Sequence, residues 1–165
     1  MFFYDEVLRG LAEARVDYVV VGGTAVILQG VPRTTSDLDI VPALESDNLL
    51  RLVRVLDELG YRARAPVDPA GLADPAARRA WFEEKGMLAF SFWHPDRPLD
   101  AVDVLYAGRL QYAELVAGAR VLEVAGLSLL VASPRDLIEM KRGTGRAQDE
   151  FDINALERLI DAQGG

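Results

Sequence analysis

Asp37 and Asp39 flank Leu38 in the run Asp-Leu-Asp-Ile-Val over 37–41. The run alternates as a strand does, and residues i and i+2 of a strand share a face. Both carboxylates therefore project together while Leu38 and Ile40 turn to the core. Side by side they repel, and each raises the other's pKa. A fold tolerates this when a cation lies between them, and Mg²⁺ takes one or two carboxylates together with water and phosphate oxygens. Taken alone, the pair also fits two Asp at a solvated strand end. A third acid, Asp103, sits between Val102 and Val104 in the apolar run 99–105. A carboxylate there is costly unless it is paired or bound to metal. Asp100 lies near Pro98 at the start of that run and reads as solvated. If the two runs are neighbouring strands, three carboxylates converge, a set able to hold two metal ions for in-line phosphoryl chemistry.

Upstream, the apolar run ending at Val21 meets Gly22-Gly23 and then a short helical stretch over 24–29. Glycines let a ligand approach bare backbone, and a helix N-terminus suits phosphate. The same pattern also serves as an ordinary turn. Lys141 lies four residues after Leu137, at the border of an apolar helix face. From there its stem can cover apolar surface and its ammonium can enter a cleft. The helix dipole favours a cation at that end in any case. The hydroxyls and guanidinium of Arg33-Thr-Thr-Ser36 could meet phosphate, but the run reads first as a polar loop, with Ser36 able to orient Asp37. Arg146, Asp149 and Asp152 read as a local ion-pair cluster. His94, the one histidine, falls in a turn and reads as structural. Gly143-Thr-Gly-Arg146 lacks the spacing of a phosphate-binding P-loop.

These residues need elements to position them. Helical spacing over 3–14 predicts an amphipathic first helix. A buried strand follows over 17–21, then the short helix, then the strand at 37–41. Ser46 or Asp47 is expected to cap a helix running to 59, and 61–64 reads as a strand. Residues 65–77, rich in proline, read as a surface loop. Runs 86–93 and 99–105 read as strands, 110–116 as a short helix, and 121–124 and 127–131 as strands around Gly126. Ser133-Pro134 opens a helix to about 142, and 147–162 reads as the last helix. The order predicts an α/β (α+β) fold with a sheet core and a C-terminal helical pair.

The chain has 165 residues, a net charge of −8 and no Cys. That length suggests one domain. The absence of Cys excludes thiol nucleophiles, zinc–thiolate sites and disulfides. The longest apolar stretch is too short to span a membrane, and no basic leader is evident, so a cytoplasmic protein without membrane contact is expected. The acidic balance argues against gripping nucleic acid by bulk charge.

Gly22-Gly23, a spacer, Asp37-Leu-Asp39 and the later Asp103 together resemble the nucleotidyltransferase superfamily, the polymerase-β-like fold. Within it the chain is similar to AbiEii-type toxin and related minimal nucleotidyltransferases. The stretch 22–41 also resembles aminoglycoside and lincosamide nucleotidyltransferases. The run Ser133-Pro-Arg-Asp-Leu-Ile-Glu-Met-Lys-Arg142, with Gly145-Arg146 and Asp149-Glu-Phe-Asp152, is similar to the tail of the AbiEii-type group. Thr24 stands where many relatives have Ser and keeps the hydroxyl.

The resemblance implies a single domain over 1–165, with a mixed sheet core over 1–132 flanked by helices and a helical pair over 133–165. It makes Gly22, Gly23 and Thr24 the triphosphate turn and puts Lys141 on the nucleotide. Asp37, Asp39 and Asp103 become ligands of two Mg²⁺ or Mn²⁺ ions, with Asp103 assisting deprotonation of the acceptor. The implied reaction moves a nucleoside monophosphate from an NTP to a hydroxyl of tRNA, protein or a small molecule. A toxin of this kind would have an antitoxin protein as partner. The other expectations are an antibiotic-modifying enzyme and a non-catalytic nucleotide-sensing or partner-binding module.

Overall fold

The computed structural model describes residues 4–164. Phe3, placed by the sequence at the head of the first helix, lies outside them. The first helix, α1, spans Asp5–Glu13 and buries Val7, Leu8 and Leu11 along one face. Strand β1, Tyr18–Val21, is buried at every position, as expected of a central strand covered on both faces. Helix α2, Gly22–Leu28, takes both glycines into its first turn, two residues earlier than the sequence suggests. Strand β2 is Asp37–Pro42, with Leu38 and Ile40 fully buried and both acids half-buried on the alternate face.

Helix α3, Ser46–Glu58, follows with no side-chain cap at Glu45. Ser46, expected as a cap, instead donates its hydroxyl to the Ala73 carbonyl at 2.8 Å. Strand β3 is only Arg62–Ala63. The expected loop at 65–77 is partly helical, with a 3₁₀ turn over Pro69–Ala73 and helix α4 over Pro75–Lys85. Asp74 caps α4 by accepting from the Ala76 N–H, Pro75 presets its first turn, and Gly86 ends it in the left-handed region at φ 64°. Two of the three prolines that suggest a loop, Pro69 and Pro75, are thus helix starts.

Strands β4, Ala89–His94, and β5, Arg97–Leu105, form a hairpin. Helix α5, Tyr112–Gly118, leads to the hairpin of β6, Arg120–Val124, and β7, Leu127–Val131. Ser133 caps helix α6, Pro134–Lys141, by accepting from the Asp136 N–H at 3.1 Å. Helix α7 is Ala147–Ala162.

The seven strands make one sheet in the order β3-β4-β5-β2-β1-β7-β6. The β2–β5 and β1–β7 pairs are parallel and the rest antiparallel. Helix α2 packs on β2 and α6, and α6 packs on α7, so the C-terminal helical pair stands beside the acid-bearing strands. One continuous apolar core runs from Leu8 and Leu11 through β1, β2 and β5 to Leu137 and Leu156. No helix among the described residues is long and apolar enough to cross a membrane.

Candidate functional site

The parallel pairing of β2 with β5 sets Asp39 directly opposite Asp103 and Asp37 opposite Ala101. The Asp39 and Asp103 carboxyls lie close enough to share a hydrogen bond when one of them is protonated. The Asp39 carboxyl is pushed up to about 7, first by burial, then by the Asp103 charge and that hydrogen bond, then by Asp37; Lys141 pulls it down. Asp37 is held differently. The Ser36 hydroxyl donates to its Oδ1 at 3.0 Å, and the Thr24 hydroxyl donates to its backbone carbonyl at 2.9 Å.

Gly22 lies against this acid pair. Its φ is +66°, and a Cβ built there would fall 2.0 Å from Asp39 Oδ2. Only glycine satisfies both the left-handed backbone and the contact. At Gly23 a Cβ would come within 2.9 Å of Thr35 Oγ1 and 3.1 Å of Arg33 Cζ. The Arg33 guanidinium is therefore packed over the first turn of α2.

The facing wall comes from α6 and α7. Lys141 Nζ lies 3.1 Å from Asp149 Oδ1 and 3.0 Å from Asp152 Oδ2. Arg33 reaches across to Asp152 at 2.5 Å, and Arg146 Nε binds Asp149 at 2.8 Å. Thr144 donates to Asp149 and Gln148 to Asp152. Both acids are buried, Asp152 completely. Burial raises Asp149, but Thr144, Lys141 and Arg146 outweigh it and hold its carboxyl below the ordinary range. Buried charges of this kind persist only when paired and hydrogen-bonded. Between the two walls is a cavity of about 400 Å³, with Gly22, Asp39 and Asp103 on one side and Arg33, Lys141 and Arg146 on the other. Its size suits a small-molecule ligand.

The structure thus brings Gly22, Gly23, Asp37, Asp39, Asp103 and Lys141 to one cavity. Thr24 does not line it; the residue is buried and its hydroxyl is spent on the Asp37 carbonyl. Lys141 is more deeply set than its border position suggests, with 11% of its side chain exposed. Asp100, expected to be solvated, is buried and paired with Arg97 at 2.9 Å. His94 bonds the Leu59 carbonyl through Nε2 and accepts from the Asp96 N–H through Nδ1, a structural role in the hairpin.

Sequence assigns neither Arg33, whose loop reads first as polar surface although its guanidinium could meet phosphate, nor Arg146 to the site. Arg33 stands in a loop far along the chain from Asp152, and only the tertiary fold, with α6 packed between α2 and α7, joins them. Arg146 carries a sequence signal in its spacing of three from Asp149, but that spacing shows an ion pair rather than a cavity wall.

Among the described residues no ready-made cluster of His, Asp or Glu side chains encloses a metal position. The donor chemistry nonetheless fits a hard divalent cation. Asp39 and Asp103 face each other at one rung and Asp37 shares their face, and a cation's charge would offset the burial and the neighbouring acids that lift Asp39.

No family model matches the sequence, and no curated protein matches it. Solved structures do. The lincosamide antibiotic adenylyltransferase LnuA, bound to lincomycin, aligns with a TM-score of 0.63 at 15% identity, over 93% of each chain. ANT(2'')-Ia in complex with adenylyl-2''-tobramycin aligns at 0.60 and 16% identity, over 96% of this chain and 88% of its own. An antigenic nucleotidyltransferase-like protein from Paracoccidioides brasiliensis aligns at 0.55 and 19% identity, over 96% and 77%. The chain has the nucleotidyltransferase, polymerase-β-like fold.

Proposed function

We propose that this protein is a metal-dependent nucleotidyltransferase, moving a nucleoside monophosphate from an NTP to an acceptor hydroxyl and releasing pyrophosphate. The observation that carries this is the rung of β2–β5 that sets Asp39 against Asp103 beneath the backbone of Gly22. Asp37, Asp39 and Asp103 would hold Mg²⁺ or Mn²⁺, two ions in the full site. The metal, when bound, supplies charge neutralisation at the reacting phosphate.

The chain's own groups do the rest. Gly22 and Gly23 let the triphosphate lie against backbone, where a side chain would block it. Arg33, Lys141 and Arg146 balance its charge from the facing wall. Asp103 takes the proton of the acceptor hydroxyl as that oxygen attacks the α-phosphorus and the bond to the pyrophosphate oxygen breaks. Little covalent work falls to the protein in such transfers; positioning and electrostatics dominate.

The resemblance of 133–152 to the AbiEii-type tail supports a macromolecular acceptor, tRNA first and protein second, with the chain acting in the cytoplasm as a toxin restrained by an antitoxin protein. A second reading, transfer to an antibiotic hydroxyl, is supported by the likeness to LnuA and ANT(2'')-Ia and by a net charge of −8, which draws polycations.

The test is to incubate the protein with each labelled NTP, Mg²⁺ and one of three acceptor pools: total tRNA, cell protein, or a panel of aminoglycosides and lincosamides. Label on tRNA is the expected result. Label on an antibiotic alone overturns the toxin reading. Nucleotide binding without transfer to any pool overturns the enzyme and leaves a nucleotide-sensing module.

A further inference from the structure

Tyr4 stands at the head of α1 and outside the cavity, with only 4% of its surface exposed. Its hydroxyl is hydrogen-bonded to the backbone carbonyl of Ser36. It also meets the Ala101 carbonyl at 3.0 Å and accepts the Ala101 N–H at 3.1 Å. A phenol has one proton to give and lone pairs to accept with, so it takes the Ala101 N–H and shares its proton between two carbonyls. Those groups belong to different strands. Ser36 is the residue before β2 begins, and Ala101 is the β5 residue opposite Asp37. One side chain therefore ties the entry to β2 to the middle of β5, beside the acid-bearing rungs.

A second hydroxyl completes the arrangement from the other side. Thr24, on α2, donates to the carbonyl of Asp37 itself at 2.9 Å. The carbonyl before Asp37 and its own carbonyl are thus each held by a buried side-chain hydroxyl, one from the head of α1 and one from α2. The Asp37 side chain is then turned by Ser36 at 3.0 Å. Asp37 needs such support, because it lies at the first rung of the parallel pair, where strand ends fray. An unsupported end would let Asp37 move relative to Asp39 and Asp103, which the interior of the ladder fixes.

We infer that Tyr4 and Thr24 are positioning residues: their hydroxyls clamp the Asp37 backbone and so set the spacing of the three carboxylates that hold the metal. This rests on the functional reading above and assigns Thr24 a task other than touching phosphate. Groups behind metal ligands are worth about 10–100-fold in metal affinity.

The test uses the full chain with Tyr4→Phe, which keeps the ring and deletes the hydroxyl, and Thr24→Val, which does the same for the second tie. A comparison variant, Leu11→Val, loosens the core on α1 without touching the strand ends. Three quantities are read on each: melting temperature, backbone amide exchange, and Mn²⁺ affinity in the presence of a non-hydrolysable ATP analogue.

Both hydroxyl variants are expected to exchange faster at the amides of residues 37, 38 and 101 and to bind Mn²⁺ about tenfold more weakly or worse. Leu11→Val is expected to melt earlier with Mn²⁺ affinity unchanged. A hydroxyl variant that only melts earlier, with wild-type Mn²⁺ affinity, overturns the inference and leaves a structural tie. If Tyr4→Phe does not fold, Thr24→Val carries the same decision. A wild-type protein without Mn²⁺ affinity overturns the functional reading itself, a result distinguishable from failure of the clamp.

Discussion

Replacing Asp103 by Asn keeps the shape of the residue opposite Asp39 and removes its charge. Asp39 is lifted from 3.8 to about 7 in the folded protein. At ~1.4 kcal/mol per pH unit, holding it ionised at about pH 8 costs on the order of 4 kcal/mol relative to the unfolded chain. Burial, the largest cause, persists in the variant, while the Asp103 charge disappears and an amide N–H can donate to the Asp39 carboxylate in place of the shared hydrogen bond. Asp103→Asn therefore regains part of that cost, on the order of 1–2 kcal/mol. For a chain of this length that is a rise of about 2–8 °C in melting temperature.

The sign reverses the usual cost of altering a site residue, and pH gives it a signature. Between about pH 4 and 7 the folded wild type holds more protons than the unfolded chain, so its stability falls as pH rises through that window. Asp149, held below its ordinary range, loses its contribution only at lower pH and leaves the window clear. Thermal melts from pH 4 to 8 in chelator should show the variant's advantage growing with pH and its curve flattened. The stabilisation that Mn²⁺ plus NTP gives the wild type should be lost. A variant that melts earlier than wild type at about pH 8, or keeps the wild-type slope, would refute the like-charge account of this rung.

Lys141→Met leaves Asp149 and Asp152 buried with one cation fewer, and should cost about 3 kcal/mol as well as weaken NTP binding; a melting temperature within a degree of wild type would show that Arg33 and Arg146 suffice. Gly22→Ala forces a Cβ onto Asp39 at a positive φ, so it should lose roughly 1–3 kcal/mol together with the Mn²⁺–NTP shift. Gly30→Ala, at φ +110° with open space around it, should show the backbone strain alone, and equal metal responses in these two variants would contradict the contact at Asp39.

Alternation put Asp37 and Asp39 on one face, and the expense of an acid among valines marked Asp103 before its neighbour was known. Those inferences needed only local periodicity and burial cost. Their adjacency needed the pairing of two strands widely separated in the chain, which no local pattern specifies. Lys141 shows the same boundary. Its place on the edge of α6 was legible from its distance to Leu137, but its burial was not, because the groups that close over it come from α7. Helix α4 differs from the expected loop for another reason: Asp74-Pro75 serves as a helix start as well as loop punctuation, and the proline-rich flanks match the latter. At Ser46 the hydroxyl found a tertiary acceptor, Ala73, and left the cap unused.

The parallel β2–β5 rung also bears on how the molecule comes together in time. The hairpins β4–β5 and β6–β7 close short loops and can form early. Joining β5 to β2 must bring residue 103 to residue 39 across everything between them, and contacts of such separation are slow to form. That step also drives two carboxylates together, so their repulsion opposes the zipping of the sheet's centre. A chain halted before it keeps hairpins and helices yet has no acid cavity. On the proposed metal-dependent reading, divalent ions present during refolding would lower the resistance of that step and hasten assembly.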